Sequence, residues 1–248
     1  MRSLPAAQAP AVVASGSSPL GSAIVRSLAE AGHPVSFGCD PETRDGAEME
    51  QELADAGHLV AAFELNVLDS SSMGRFKDLS TGRFGPPLCV VANSPAGISA
   101  HDGGEPDWNR VVDASLSAAF RLVQQFTPEM QSREYGRVVL VGSAASLVGR
   151  PEQAAFCAAS AGLEGLTRSL AVKLAPFDVL VNAVAPGYIE EDRDGLTPEV
   201  RSKKVAASIA LRRVGQATEV AEAVRFLCGP GPSAMTGNVL RVDGGLTA

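Results

Sequence analysis

Seven short apolar runs, rich in β-branched residues, recur along the chain at residues 11–14, 35–38, 60–65, 89–92, 138–141, 180–184 and 239–242. Each has the length of a strand. Most are apolar throughout rather than alternating, the pattern of strands buried on both faces. Between them the apolar residues repeat at helical spacing. Within 21–31, Ile24, Val25 and Leu28 share one face; within 108–126, Val111, Val112, Ser115, Leu116, Ala119, Phe120 and Val123 do the same. A further helix starts near Phe156. Strands alternating with amphipathic helices predict an α/β fold, a single doubly wound Rossmann-type domain with a seven-stranded parallel sheet and helices on both faces. Gly and Pro cluster at 94–107 and 228–233 as loop punctuation, and neither an internal repeat nor a linker divides the chain.

Composition narrows the function classes. A chain of 248 residues suits one α/β domain spanning 1–248, with the first ten residues expected to be flexible. Hydrophobic residues at 45% and charged ones at 20% are ordinary for a globular protein and exclude disorder as the main state. Lys plus Arg at 21 against Asp plus Glu at 28 gives a net charge of −7, opposite in sign to a phosphate-binding surface, so no nucleic-acid partner is expected. Cys39, Cys89, Cys157 and Cys228 lie far apart, with neither CxxC pairing nor His at zinc-finger spacing. They fit reduced thiols, and neither disulfide nor metal is expected. The start lacks a charged segment followed by an apolar core, and no apolar run approaches the 18 or more residues of a spanning helix. A cytoplasmic protein with no membrane partner is expected. His33, His58 and His101 fall at predicted helix ends or in loops, without triad spacing, and read as solvated.

The chemistry-bearing signals follow the strands. After the first comes Ala14-Ser15-Gly16-Ser17-Ser18-Pro19-Leu20-Gly21 and then a helix, a turn whose backbone N–H groups and helix N-terminus could approach a pyrophosphate. Leu65-Asn66-Val67 follows the third strand, Asn93 to Gly97 the fourth, and Val141-Gly142-Ser143 the fifth. Val181-Asn182-Ala183-Val184-Ala185-Pro186-Gly187 lies at the sixth, and Thr236-Gly237 with Val242-Asp243-Gly244-Gly245 closes the chain. In this order the motifs resemble the short-chain dehydrogenase/reductase family, closest to its 3-oxoacyl carrier-protein reductase branch, over residues 11–246.

The resemblance implies oxidation or reduction of a carbonyl with NAD or NADP by an Asn-Ser-Tyr-Lys set. Tyr is the acid/base, Lys lowers its pKa, Ser orients the substrate oxygen and Asn holds a proton-relay water. A phenol, with an ordinary pKa of about 10, serves at neutral pH only beside a cation, and positions four apart on a helix share a face. Ser143 matches the family serine. Phe156 stands thirteen residues later where Tyr belongs, Ser160 stands where Lys belongs, and Ser115 stands at the Asn position. The neighbouring Gly162-Leu163, Leu166-Thr167 and Ser169-Leu170-Ala171 are in register, and neither Tyr135 nor Tyr188 lies four before a lysine.

The cofactor-binding positions carried over are Gly16, Ser18, Leu20, Gly21, Asp40, Asn66, Val67, Asn93, Gly97, Pro186, Gly187 and Ile189. Three changes weaken them. Pro19 takes a loop glycine position and lacks an N–H, Ser15 replaces another glycine, and Glu191 brings a carboxylate near the pyrophosphate. Asp40, after Cys39, favours an unphosphorylated ribose and hence NAD, or is a surface turn beside Pro41. Glu190, Glu191, Asp192 and Asp194 form an exposed acidic loop, or a cation or base site.

Three functional readings follow. The leading one is a reductase using NADH or NADPH on an electrophilic small molecule such as a quinone or enone, which does not need a Tyr proton donor. The others are a catalytically silent subunit and a non-redox enzyme reusing the pocket. The small residues Ala158, Ala159, Ala161, Gly162 and Gly165 of the helix near Phe156, with the resemblance, imply a homo-dimer or homo-tetramer, or assembly with an active relative.

Overall fold

The computed structural model describes residues 9–40, 45–95, 105–151, 153–190 and 205–248. Along the chain run β1 (Ala11–Val13), α1 (Pro19–Glu30), β2 (Val35–Cys39), α2 (Asp45–Asp55), β3 (Val60–Glu64), α3 (Ser70–Phe84) and β4 (Cys89–Ala92). There follow α4 (Glu105–Val112), α5 (Ala118–Ser132), β5 (Gly136–Val141), α6 (Ala145–Val148), α7 (Ala154–Leu174), β6 (Val179–Pro186), α8 (Ala217–Cys228) and β7 (Val239–Val242). The strands form one parallel seven-stranded sheet in the order β3-β2-β1-β4-β5-β6-β7, with Val12 in register with Ser36 of β2 and Val90 of β4.

The continuous apolar strands explain the layering. Successive side chains of a strand point to opposite faces. Val12, Val90 and Val138 therefore pack with Phe76 of α3, Leu122 of α5 and Leu163 of α7. Val13, Val91 and Val139 pack with Ile24 of α1, Leu53 of α2 and Val224 of α8 on the other face. This is the doubly wound α/β arrangement that the pattern predicts.

Local chemistry shifts three boundaries or environments. First, α1 begins at Pro19 rather than Gly21, because Ser18 caps it and a proline suits the first helical position. Second, the periodic stretch 108–126 is not one regular helix. A five-residue π-helix, Asp113–Ser117, separates α4 from α5, and α5 runs on through Pro128 to Ser132. Third, His33 is not solvated: it is 3% exposed, with Nδ1 2.8 Å from the Ala9 carbonyl, so its polar edge is satisfied inside the fold. His101 lies outside the described residues. All four cysteines are free thiols. Among the described residues no helix is long and apolar enough to cross a membrane.

Candidate functional site

The chain winds outward from β1 to β3 and then resumes at β4 on the other side of β1. A crevice therefore opens beyond the carboxyl ends of β1 and β4, where doubly wound sheets take their ligands. Its floor is the turn of residues 14–18. Ser15 holds a left-handed φ of 51°, which costs a residue with a Cβ about 1–2 kcal/mol. The Gly16 amide donates to Gly38 O at 2.7 Å, and a Cβ on Gly16 would lie 2.5 Å from that of buried Phe37. A Cβ on Gly21 would lie 2.1 Å from the Ser15 carbonyl oxygen. Both glycines are thus required by close approach.

Ser18 joins the turn together. Its hydroxyl donates to Ser15 O at 2.7 Å and accepts from the Gly21 amide at 3.1 Å and from Asn93 Nδ2 at 3.1 Å. The donors left over are informative. The amides of Ser17 and Leu20 have no partner among the described residues, and Leu20 sits in the first turn of α1, where the helix dipole favours an anion. Pro19 removes only a first-turn N–H, and two donors remain. These residues fit a pyrophosphate.

At the far side of the crevice, Asp40 follows the end of β2 and is exposed. The Cys39 thiol donates to Phe63 O at 3.3 Å, and burial with nearby Glu64 and Asp40 pushes its pKa up, so it is no nucleophile. Asn66 is exposed, and its Oδ1 already accepts from the Leu68 amide at 3.0 Å, leaving one lone pair and the side-chain amide for a ligand. Val67 is buried beneath it. Gly97 lies outside the described residues, as do Glu191, Asp192 and Asp194.

The positions of the four-residue set sit around the ends of β4 and β5. Ser143, 7% exposed, follows β5, and its Oγ accepts from the Ala145 amide at 3.1 Å. The Ala144 amide donates to Pro186 O at 2.8 Å, tying this turn to the end of β6. The hydroxyl proton of Ser143 has no acceptor among the described residues. Phe156, half-buried on α7, packs against the core, and Ser160 lies one turn further on at 2% exposure. Ser115 occupies the middle of the π-helix, a geometry frequent at functional sites, and its buried Oγ has no partner. It borders a cavity shared with Asn93, Ser94 and Ala14 that leaves about 10 Å³ for the centre of a water molecule, room for one. Asn93 and Ser115 thereby line one cavity, although they lie far apart in sequence.

The terminal motifs do structural work. Asp243 carboxylate oxygens accept from the Gly245 and Thr247 amides, and a Cβ on Gly187 would lie 2.8 Å from Asp243 Cα, so the 186–187 turn rests on the last residues. Ile189 is buried and pairs with Gly215. Asn182 bonds Met235 O and the Asn238 amide. Two residues in the turn between Ser143 and Phe156 escaped the sequence reading. The Arg150 guanidinium lies 4.1 Å from the ring centroid of Tyr188, and among the described residues neither its buried Nε nor the buried Gln153 Oε1 has a partner. The signal available in the sequence was an arginine in the stretch between the family serine and Phe156. Among the described residues no cluster of His, Cys, Asp and Glu could hold a metal ion.

Comparison with known proteins agrees with this geometry. Residues 13–247 match the family described as enoyl-(acyl carrier protein) reductase. The cis-4-hydroxycyclohexanecarboxylate dehydrogenase of Sinomonas cyclohexanicum is 35% identical over 96% of each chain. A 3-oxoacyl-[acyl-carrier-protein] reductase of Staphylococcus aureus is 32% identical over 95% of this chain and 97% of its own. Among solved structures, a blue fluorescent protein from a metagenomic library in complex with NADPH superposes with a TM-score of 0.88 at 27% identity, covering 97% of this chain and 98% of that one. With motifs, sheet order and relatives in agreement along nearly its whole length, the chain belongs to the short-chain dehydrogenase/reductase family, near its 3-oxoacyl-[acyl-carrier-protein] reductase branch.

Proposed function

We propose that the chain binds NADH or NADPH in the crevice above β1 and β4 and reduces an electrophilic conjugated carbonyl compound, a quinone or an extended enone, without a phenolic proton donor. The observation that carries this reading is the Ser143 hydroxyl, anchored through its oxygen to the Ala145 amide with no acceptor for its proton among the described residues, in a chain with Phe156 and Ser160 at the phenol and cation positions. When bound, the nicotinamide supplies a hydride.

Each residue then has a defined task. The open amides of Ser17 and Leu20 hold the pyrophosphate, Asp40 accepts from ribose hydroxyls, and Asn66 meets the adenine with the groups it has left. Phe156 presents a flat apolar surface to a conjugated substrate. Ser143 donates a hydrogen bond to the oxygen on which charge develops. In a quinone or enone that charge is delocalised, so a hydrogen bond suffices in the transition state and water completes the protonation. A simple ketone lacks this relief and needs an acid. The NADPH-bound structural relative and the dehydrogenase and reductase named among the relatives support the redox class.

The reading extends to a cytoplasmic homo-dimer or homo-tetramer. Four free thiols favour a reducing compartment, and Trp108 of α4, Phe120 of α5 and Val172 of α7 are exposed apolar groups that a second subunit would cover.

The test is Ser143→Ala. Enone reduction should fall by about 10²-fold, the scale of a removed oxyanion donor, while NADPH affinity stays unchanged. Unchanged turnover would remove Ser143 from the mechanism, and failure of the unaltered protein to bind either NADH or NADPH would leave the silent subunit or the non-redox enzyme standing.

A further inference from the structure

Among the arginines, Arg26, Arg121, Arg133, Arg213 and Arg225 each meet a carboxylate, and buried Arg137 meets two backbone carbonyls. Arg150 meets neither among the described residues. Its guanidinium lies over the Tyr188 ring with its central carbon 4.1 Å from the centroid, a contact that engages the charge on the ring face without supplying an acceptor in line with the N–H groups. The ring thus holds the cation in place, while the enclosed Nε–H forfeits water and gains no partner among the described residues.

Position matters as much. Arg150 closes the turn that starts at Ser143, and Tyr188 directly follows Gly187 at the end of β6. The Ala144–Pro186 hydrogen bond ties those two segments together. Arg150 thus lies at the same carboxyl edge of the sheet as Ser143. Three residues on, Gln153, whose amide donates to Arg150 O at 3.2 Å, holds a second unsatisfied polar atom, its buried Oε1.

We propose that Arg150, oriented by Tyr188, anchors a carboxylate of the substrate, so that the site takes a conjugated carbonyl compound bearing an acid group. The planar donor fork matches a carboxylate in two parallel hydrogen bonds. A ligand held there by its acid group turns its apolar body toward Phe156 and Ser143. The conjugated part of this assignment rests on the proposed reductase reading; the carboxylate part rests on Arg150 alone.

The experiment measures binding of benzoate and of its neutral isostere benzamide to the full chain by titration calorimetry, with and without NADPH. Unaltered protein should bind benzoate at least about tenfold more tightly than benzamide. Arg150→Gln should abolish the preference, Tyr188→Leu should reduce it, and Arg168→Gln, an exposed arginine on α7, should leave it intact. The benzoate-to-benzamide ratio of the unaltered protein needs no variant, so misfolding of Arg150→Gln does not blunt the test. Equal affinities, no benzoate binding, or a preference that survives in Arg150→Gln overturns the assignment. A benzoate preference without binding of either NADH or NADPH overturns the reductase reading alone. NADPH binding and enone turnover without the preference overturn the Arg150 assignment alone.

Discussion

Placing a phenol and a cation at positions 156 and 160 tests the residue register of the site directly. Four residues of α7 rise about 6 Å, so a lysine chain from position 160 can reach a phenol oxygen at position 156 on the same face. A phenol with a pKa of about 10 is only about one part in a thousand ionised at pH 7. A cation within about 4–6 Å lowers that pKa by roughly 1–3 units, raising the phenolate fraction at pH 7 about 10- to 500-fold. Full acid/base assistance is worth about 10²–10⁴ in rate, or roughly 3–5 kcal/mol. Ser160 is 2% exposed, so Ser160→Lys alone buries an unpaired ammonium and should lower the melting temperature, by about 2–4 °C for each kcal/mol lost. The assay is NADPH consumption with acetoacetyl thioester from pH 6 to 9. Phe156→Tyr alone should gain up to about tenfold, and the double variant about 10²–10⁴-fold, with the pH limb displaced downward by roughly 1–3 units. A folded, NADPH-binding double variant with no gain would show that positions 156 and 160 do not face the reacting carbonyl.

Three further outcomes are expected. Gly21→Ala places a Cβ 2.1 Å from Ser15 O, so the turn must open: NADPH affinity should fall at least about tenfold by fluorescence titration, and unchanged affinity would dissociate the turn from the cofactor. Glu219, held by Arg213 and the Gln216 amide, has its carboxyl drawn down to about 2 from an ordinary 4.5. Because the folded value is the lower one, its contribution is present above pH 4.5 and is lost as pH falls toward 2. Glu219→Gln should flatten that acid limb in urea titrations, by less than about 1 kcal/mol because solvent screens so exposed a pair; an unaltered limb would refute the pairing. Light scattering at micromolar concentration should give a mass of two or four chains, and a single-chain mass would refute the assembly.

The sequence made the layering legible because it rests on continuous apolar strands: 89–92 and 239–242 coincide with β4 and β7. It was less informative where hydrogen bonding decides. The start of α1 depends on the Ser18 cap, and periodicity did not reveal the π-helix around Ser115, past which Phe120, read into the apolar face of 108–126, is exposed while Ala118 and Leu122 are buried. His33 looked solvated because its acceptor, Ala9 O, lies in another segment. In the site, Gly16, Gly21 and Ser143 were legible as motif positions. The Asn93–Ser18 bond and the Arg150–Tyr188 stack were not, since each joins residues that only the sheet brings together.

The central claim is an intact nucleotide crevice beside a site without a phenolic acid. It is tested most directly by mixing protein loaded with NADH or with NADPH with an extended enone or with acetoacetyl thioester and following absorbance at 340 nm through a single turnover. The expected result is nicotinamide oxidation with the enone and little or none with the thioester. Oxidation by the thioester at the roughly 1–10³ per second of ordinary enzymes, or none with either acceptor, would contradict it.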